Sequence, residues 1–353
     1  MSLTAEITTR CVTAHGRRIH LREAGEGPLV LMCHGFPETS WSWRKQLGPL
    51  AAAGYHGVAI DLPGYGRSWK PHAAEDTSII ELVSIVAGVV EALGETQAVI
   101  VGHDWGAPVA WGAAWTRPDV FRGVVGVSVA FGGRGQMALP GNPFGARRPS
   151  EVEAEIAGPG RSFYQEYFAT PGALGAEAEV DVRAWLNAIY FSLSGAAPLP
   201  TFSSLENDEQ VVEMLRETAI CLKPGEAFSA NFLSPEKQPD WLPESDLDVY
   251  VEEYERSGFE SALNSYRTSD LDWELLAPFE NRPVEVPALF VGGDRDMPTL
   301  WARDAVLRMR EHVPHLHDTV IVEECGHWVQ QERPEAFNDA LVDFLNFIDR
   351  KSS

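Results

Sequence analysis

Two patterns of apolar residues alternate along this chain. Runs that are apolar almost throughout recur at 29–33, 57–60, 98–101 and 124–130, and again at 287–293 and 319–322. Between them lie amphipathic stretches of helical period, at about 77–93, 107–115 and 334–348. A strand that is apolar on both faces must be covered on both faces, so strands of this kind separated by helices predict a mostly parallel sheet between helical layers. After Phe131 the rhythm breaks. Residues 132–149 are rich in Gly, Pro and Arg and read as a linker. From about 136 to 274 the pattern is helical, with many aromatics and no convincing strand. The spacing therefore predicts an α/β core formed by 1–135 and 275–353, with a helical cap, 136–274, inserted into it. No internal repeat or low-complexity tract interrupts this scheme.

Composition adds limits. A chain of 353 residues suits one large core with an insertion, and 44% hydrophobic residues suffice to bury it. The formal net charge of -23 argues against nucleic-acid or anionic-membrane partners held by bulk electrostatics. The most apolar helical stretch, 79–93, is broken by Glu81 and Glu91 and is too short to cross a bilayer. Cys11, Cys33, Cys221 and Cys325 are widely spaced and form no CxxC, which reads as reduced thiols. Met1–Arg10 lacks the apolar core of a secretory leader. A cytoplasmic protein is expected. The sequence holds no signal for its oligomeric state.

The most informative chemistry lies at Gly102-His103-Asp104-Trp105-Gly106, between the apolar run 98–101 and the helical stretch 107–115. Small residues on either side of a central side chain, between strand and helix, make the nucleophile elbow of α/β hydrolases. Here the exposed side chain is a carboxylate rather than a hydroxyl. A serine that attacked a tetrahedral carbon would end as an ether, which water does not cleave. An aspartate leaves an ester, which it does. Asp104 therefore points to displacement at an alkyl carbon.

A base and an acid are expected downstream, in the chain order nucleophile, acid, base. His327, in Gly326-His327-Trp328 after the last strand, is the natural base. The loop Gly293-Asp294-Arg295-Asp296 offers the acid. Asp296 is favoured, with Asp294 left to fix the turn; the acid would orient and stabilise the imidazole. No acidic residue closely follows the run 124–130, so the alternative acid position looks empty. His34-Gly35-Phe36-Pro37, after the first strong strand, can aim the Phe36 N–H at the active site. With the N–H of Trp105 it would form an oxyanion hole.

Taken together, His34-Gly35-Phe36-Pro37-Glu38-Thr39-Ser40-Trp41, Asp61-Leu62-Pro63-Gly64-Tyr65-Gly66-Arg67-Ser68, the elbow and Gly326-His327-Trp328 resemble the α/β-hydrolase-fold epoxide hydrolases. The likeness runs through nearly the whole chain in order. It implies a soluble form without the extra N-terminal phosphatase domain or the membrane anchor of some members. It implies no metal or organic cofactor. The substrate would be a small apolar epoxide, with water as co-substrate. The resemblance also implies two cap tyrosines that donate to the epoxide oxygen. Phe163-Tyr164-Gln165-Glu166-Tyr167-Phe168 places the first at Tyr164, with Tyr167 as the competing position. Leu263-Asn264-Ser265-Tyr266-Arg267 places the second at Tyr266, on a helical face it shares with Phe259, Ala262 and Leu263. Phe36, Trp105, Tyr164 and Tyr266 would thus contact substrate. A phenol of pKa about 10 can give a proton to the leaving oxygen yet stay protonated at neutral pH. The cap aromatics Phe163, Phe168, Trp185, Phe191 and Trp241 fit either an apolar substrate or a cap core.

Two alternatives share parts of this pattern. Haloalkane dehalogenases use the same aspartate ester and also carry Trp after the nucleophile, but commonly have Asn where Phe36 stands. Fluoroacetate dehalogenases share the Phe loop but typically place Arg at the position of Trp105. A non-catalytic ligand receptor on the same scaffold would tolerate loss of a reactive group, and none is lost here.

Overall fold

A computed structural model describes residues 6–352. The reading of Met1–Arg10 falls partly outside those residues. Eight strands form the main sheet: β1 (Thr8–Ala14), β2 (Arg17–Ala24), β3 (Leu29–Cys33), β4 (His56–Ile60), β5 (Ala98–His103), β6 (Phe121–Val127), β9 (Ala288–Gly293) and β10 (Leu316–Val322). Their spatial order is β1-β2-β4-β3-β5-β6-β9-β10. The pairs β1/β2 and β2/β4 are antiparallel and the rest are parallel. The predicted parallel sheet is present, extended at one edge by a hairpin that the apolar pattern missed. Most of β1 is exposed, so it has no apolar run to betray it.

Both faces of the sheet are buried, and the period of two shows how. Along β3, Leu29, Leu31 and Cys33 join one apolar cluster with the helices Ile79–Ala92 and Gly106–Thr116. Val30 and Met32 join the other, with Leu47 and Leu50 of the helix Arg44–Ala52 and Phe337, Leu341 and Phe344 of the helix Pro334–Ser352. No helix of the described residues is long and apolar enough to cross a membrane.

Three local expectations need correction. The strand expected at 124–130 is β6, which begins at Phe121 and stops at Val127; Ser128 turns out of the sheet at a φ of 70°. β10 begins earlier than its apolar run, because as an edge strand it carries half-exposed polar residues such as His317. The stretch 132–149 is no solvated linker, since Met137, Ala138 and Leu139 are buried. From there to β9 the chain is largely helical. It also contains a two-residue antiparallel pair, β7 (Ser162–Phe163) with β8 (Cys221–Leu222).

Candidate active site

Asp104 lies in the tight turn between β5 and the helix that follows it. β5 ends at His103, the helix Gly106–Thr116 begins three residues later, and Asp104 adopts a φ of 50°. A non-glycine residue held there costs roughly 1–3 kcal/mol, a strain typical of functional positions. A Cβ at Gly102 would collide with the Gly106 carbonyl, which is why the elbow needs a small residue there. Across from it, the Phe36 N–H donates to Asp104 Oδ1 at 2.7 Å. Gly35 permits that approach, since any side chain there would strike the Asp104 carboxylate. The Trp105 N–H, at the start of the helix, has no hydrogen-bond partner among the described residues. Both amides expected of an oxyanion hole thus flank Asp104.

His327 follows β10 and is buried, with Nε2 3.6 Å from Asp104 Oδ2. Its Nδ1 faces Asp296 Oδ1 at 2.9 Å. Asp294 is directed elsewhere, accepting from the Cys325 N–H at 3.1 Å as a turn-fixing residue would. Burial alone would make His327 less basic. The Asp296 charge, with the Asp104 carboxylate on the other side, outweighs that and pushes its pKa up to about 10. Both neighbours thus favour the protonated ring.

Tyr164, at the start of the helix Tyr164–Ala169, and Tyr266, in the 3₁₀ segment Glu260–Arg267, face the same space as Asp104. Their ring centroids lie 6.1 Å apart. Tyr266 packs edge-on to Trp105 at 4.7 Å and to Phe36 at 5.9 Å. Burial, reinforced by the Asp104 charge, raises both phenols well above the ordinary tyrosine range, so both stay protonated. Tyr167 points away, its hydroxyl within donating distance of Glu177 Oε2 at 3.0 Å or the Ala173 carbonyl at 3.2 Å. It is Tyr164, not Tyr167, that meets the cavity.

That cavity brings together Phe36, Asp104, Tyr164, Tyr266 and His327, with otherwise apolar side chains. Larger open grooves occur on the helical segment, but they contain none of the expected catalytic groups together. Of the five aromatics expected to mark substrate or core, only Phe168 lines the cavity. Trp185 packs behind Phe36 at 6.3 Å, and Phe163 is buried among its neighbours.

Two features escaped the sequence reading. Glu38 is buried and accepts from His103 Nδ1 at 2.6 Å, the Gly35 N–H at 2.9 Å, and Gln330 and Gln331 Nε2 at 3.1 Å each. Burial would raise it, but the His103 ring and these donors hold it down at about 2. His103 Nε2 in turn reaches the His327 carbonyl at 2.8 Å. This network joins the Phe36 loop, the elbow and the base. The HGFPE order held the signal, since a carboxylate beside that loop must find partners when buried. The second is Ser128, whose Oγ sits 3.0 Å from His327 Nδ1, at the acid position that looked empty.

Comparison with known proteins agrees with this geometry. The Alpha/beta hydrolase family matches residues 30–340. Epoxide hydrolase B of Mycobacterium tuberculosis is 44% identical over 347 residues, covering 95% of this chain and 97% of that protein. Epoxide hydrolase 3 of Siraitia grosvenorii is 34% identical, covering 95% and 97%. Among solved structures, an epoxide hydrolase from an endophytic Streptomyces superposes with a TM-score of 0.86 at 42% identity, covering 98% and 96%. This chain belongs to the α/β-hydrolase family and, within it, to the epoxide hydrolases.

Proposed function

We propose that this enzyme hydrolyses a small apolar epoxide to a vicinal diol through a covalent ester on Asp104. One observation supports this above the rest: the Asp104 carboxylate and the Tyr164 and Tyr266 side chains border one apolar cavity, with His327 beside Asp104. In the first step an Asp104 oxygen attacks a ring carbon and the C–O bond breaks. The leaving oxygen takes a hydrogen bond and then a proton from the phenols. Alkylation turns Asp104 into a neutral ester, so His327 loses one of the two charges that held its proton. The proton it releases makes good the one taken by the alkoxide. His327, oriented by Asp296, is then neutral and can act as a base. It takes a proton from water, and the oxygen of that water adds to the ester carbonyl. The Phe36 and Trp105 amides stabilise the oxyanion. Collapse frees the diol and returns carboxylate and imidazolium.

In the same reading residues 136–274 form a cap over a core of 1–135 and 275–353. Both phenols and much of the apolar lining come from that segment. A cytoplasmic location fits the free thiols, Cys33, Cys221 and Cys325 being buried and unpaired.

Trapping the ester tests the mechanism. With a styrene-oxide-type substrate, His327→Gln should accumulate protein plus one intact epoxide, mapped by peptide mass to Asp104. Asp104→Asn should show no adduct. An unmodified His327→Gln variant, or halide release from haloalkanes without epoxide turnover, would sink this reading.

A further inference from the structure

The Nδ1 atom of His327 has two neighbours that can accept its one proton. Asp296 Oδ1 lies at 2.9 Å and Ser128 Oγ at 3.0 Å. Ser128 stands one residue past the end of β6, is fully buried, and holds a φ of 70°. Such a conformation is strained for any side chain but glycine. Its hydroxyl makes no other hydrogen bond among the described residues. Thr299 fastens both neighbours, its hydroxyl lying 2.7 Å from Asp296 Oδ2 and 3.0 Å from the Ser128 carbonyl oxygen. A strained, buried serine whose hydroxyl, among the described residues, bonds only to the imidazole calls for a role at the imidazole.

The reaction sequence says when that role matters. In the resting enzyme the His327 ring is held at both ends, by Asp296 at Nδ1 and by the Asp104 charge facing Nε2. Once Asp104 is esterified, the second hold is gone, and only the contacts at Nδ1 fix the ring while it activates water. We propose that Ser128 is a positioning residue for ester hydrolysis, sharing the Nδ1 proton with Asp296 so that Nε2 keeps its lone pair toward the ester. The hydroxyl also acts as a second acceptor beside the imidazolium, and so strengthens the base. This rests on the covalent-ester reading above.

Rapid-quench mass spectrometry separates the two steps in wild type, Ser128→Ala and Ser128→Gly. Ala removes the hydroxyl and keeps the strained backbone; Gly removes the hydroxyl and relieves it. In both variants ester formation should stay within about 2-fold of wild type, while ester decay slows roughly 3- to 10-fold, the worth of one neutral hydrogen bond. The pH midpoint of ester decay should also fall, because an imidazolium with one acceptor fewer gives up its proton more readily. Decay at the wild-type rate in both variants would overturn the proposal. So would equal losses in formation and decay, or wild-type decay in the Gly variant alone, which would assign the effect to strain. A wild type that forms no Asp104 ester at all would instead remove the covalent mechanism.

Discussion

The carboxylates of Asp296 and Asp104 favour the charged form of His327, and stability should respond to this as well as catalysis. The folded pKa of His327, about 10, lies above the unfolded value of about 6.5. Its contribution is therefore complete below pH 6.5 and is lost as pH rises through 10, by an amount on the order of a few kcal/mol. Urea unfolding across that window should show wild type losing stability. Asp104→Asn, with one carboxylate fewer beside the ring, should lose less; identical slopes would contradict the ion pair. The phenols make a second case. Removing one donor to a developing oxyanion typically slows a reaction by about 10²–10³-fold. Tyr164→Phe and Tyr266→Phe should each slow ester formation toward that range, and the double variant should nearly abolish it with the fold intact. Full epoxide turnover by the double variant would take the phenols out of the mechanism. Tyr167→Phe should leave it unchanged, since that hydroxyl is engaged with Glu177.

Between elements, the joints are polar groups that end one segment and begin another. Asp272, in the helix Ser269–Leu275, accepts from the Ile79 N–H at 2.8 Å and so caps the core helix Ile79–Ala92 from 193 residues away. It also accepts from Thr268 Oγ1 at 2.9 Å. Burial dominates these bonds and pushes its pKa up to about 6. The sign follows from an unfolded value near ~3.9. The folded state holds the proton more tightly, so its advantage is full below about pH 4 and gone once pH passes 6. Asp272→Asn keeps an acceptor for Ile79 without a charge to bury. The stability of wild type relative to this variant should therefore fall by up to about 3 kcal/mol between pH 4 and 6. Parallel curves in acid titrations of thermal stability would refute it.

At the scale of the whole molecule, one short stretch of the core, residues 37–44, takes several of the polar contacts made by the helical segment. Tyr190 donates to the Pro37 carbonyl at 2.8 Å, Tyr250 pairs with Ser42 at 2.7 Å, and Tyr254 reaches the Glu38 carbonyl at 3.3 Å. Arg44 and Asp246 form an ion pair at 2.6 Å. All four contacts land on the segment that directly follows Phe36, whose N–H holds Asp104. Loosening the helical segment should thus loosen the site. Because one apolar cluster runs through both the sheet and the helical segment, melting either alone would expose buried apolar surface of the other, and the two should unfold together. Calorimetry should give one transition with matching calorimetric and van't Hoff enthalpies; two resolved transitions would show a cap that melts by itself.

Much of this was legible in the sequence, and the legible part was local. Runs such as Leu29–Cys33 announce a doubly covered strand because burial on both faces demands apolar residues at consecutive positions. The elbow announces its turn because a tight reversal between strand and helix needs small flanks, and its carboxylate is the group on which the proposed ester chemistry rests. Even the order Asp104, Asp296, His327 follows from the order of strands. The tertiary structure decided matters of direction. Asp294 and Asp296 are two residues apart, yet one meets a backbone amide and the other the imidazole, according to how the turn after β9 rotates them. Tyr164 and Tyr167 differ likewise, three residues apart on one helix and facing different partners. Ser128 carried no signal at all: its role appears only when β6 ends beside a histidine 199 residues further on. Which residues can turn or react is written in their own chemistry, but what each one faces is set by neighbours distant in the chain.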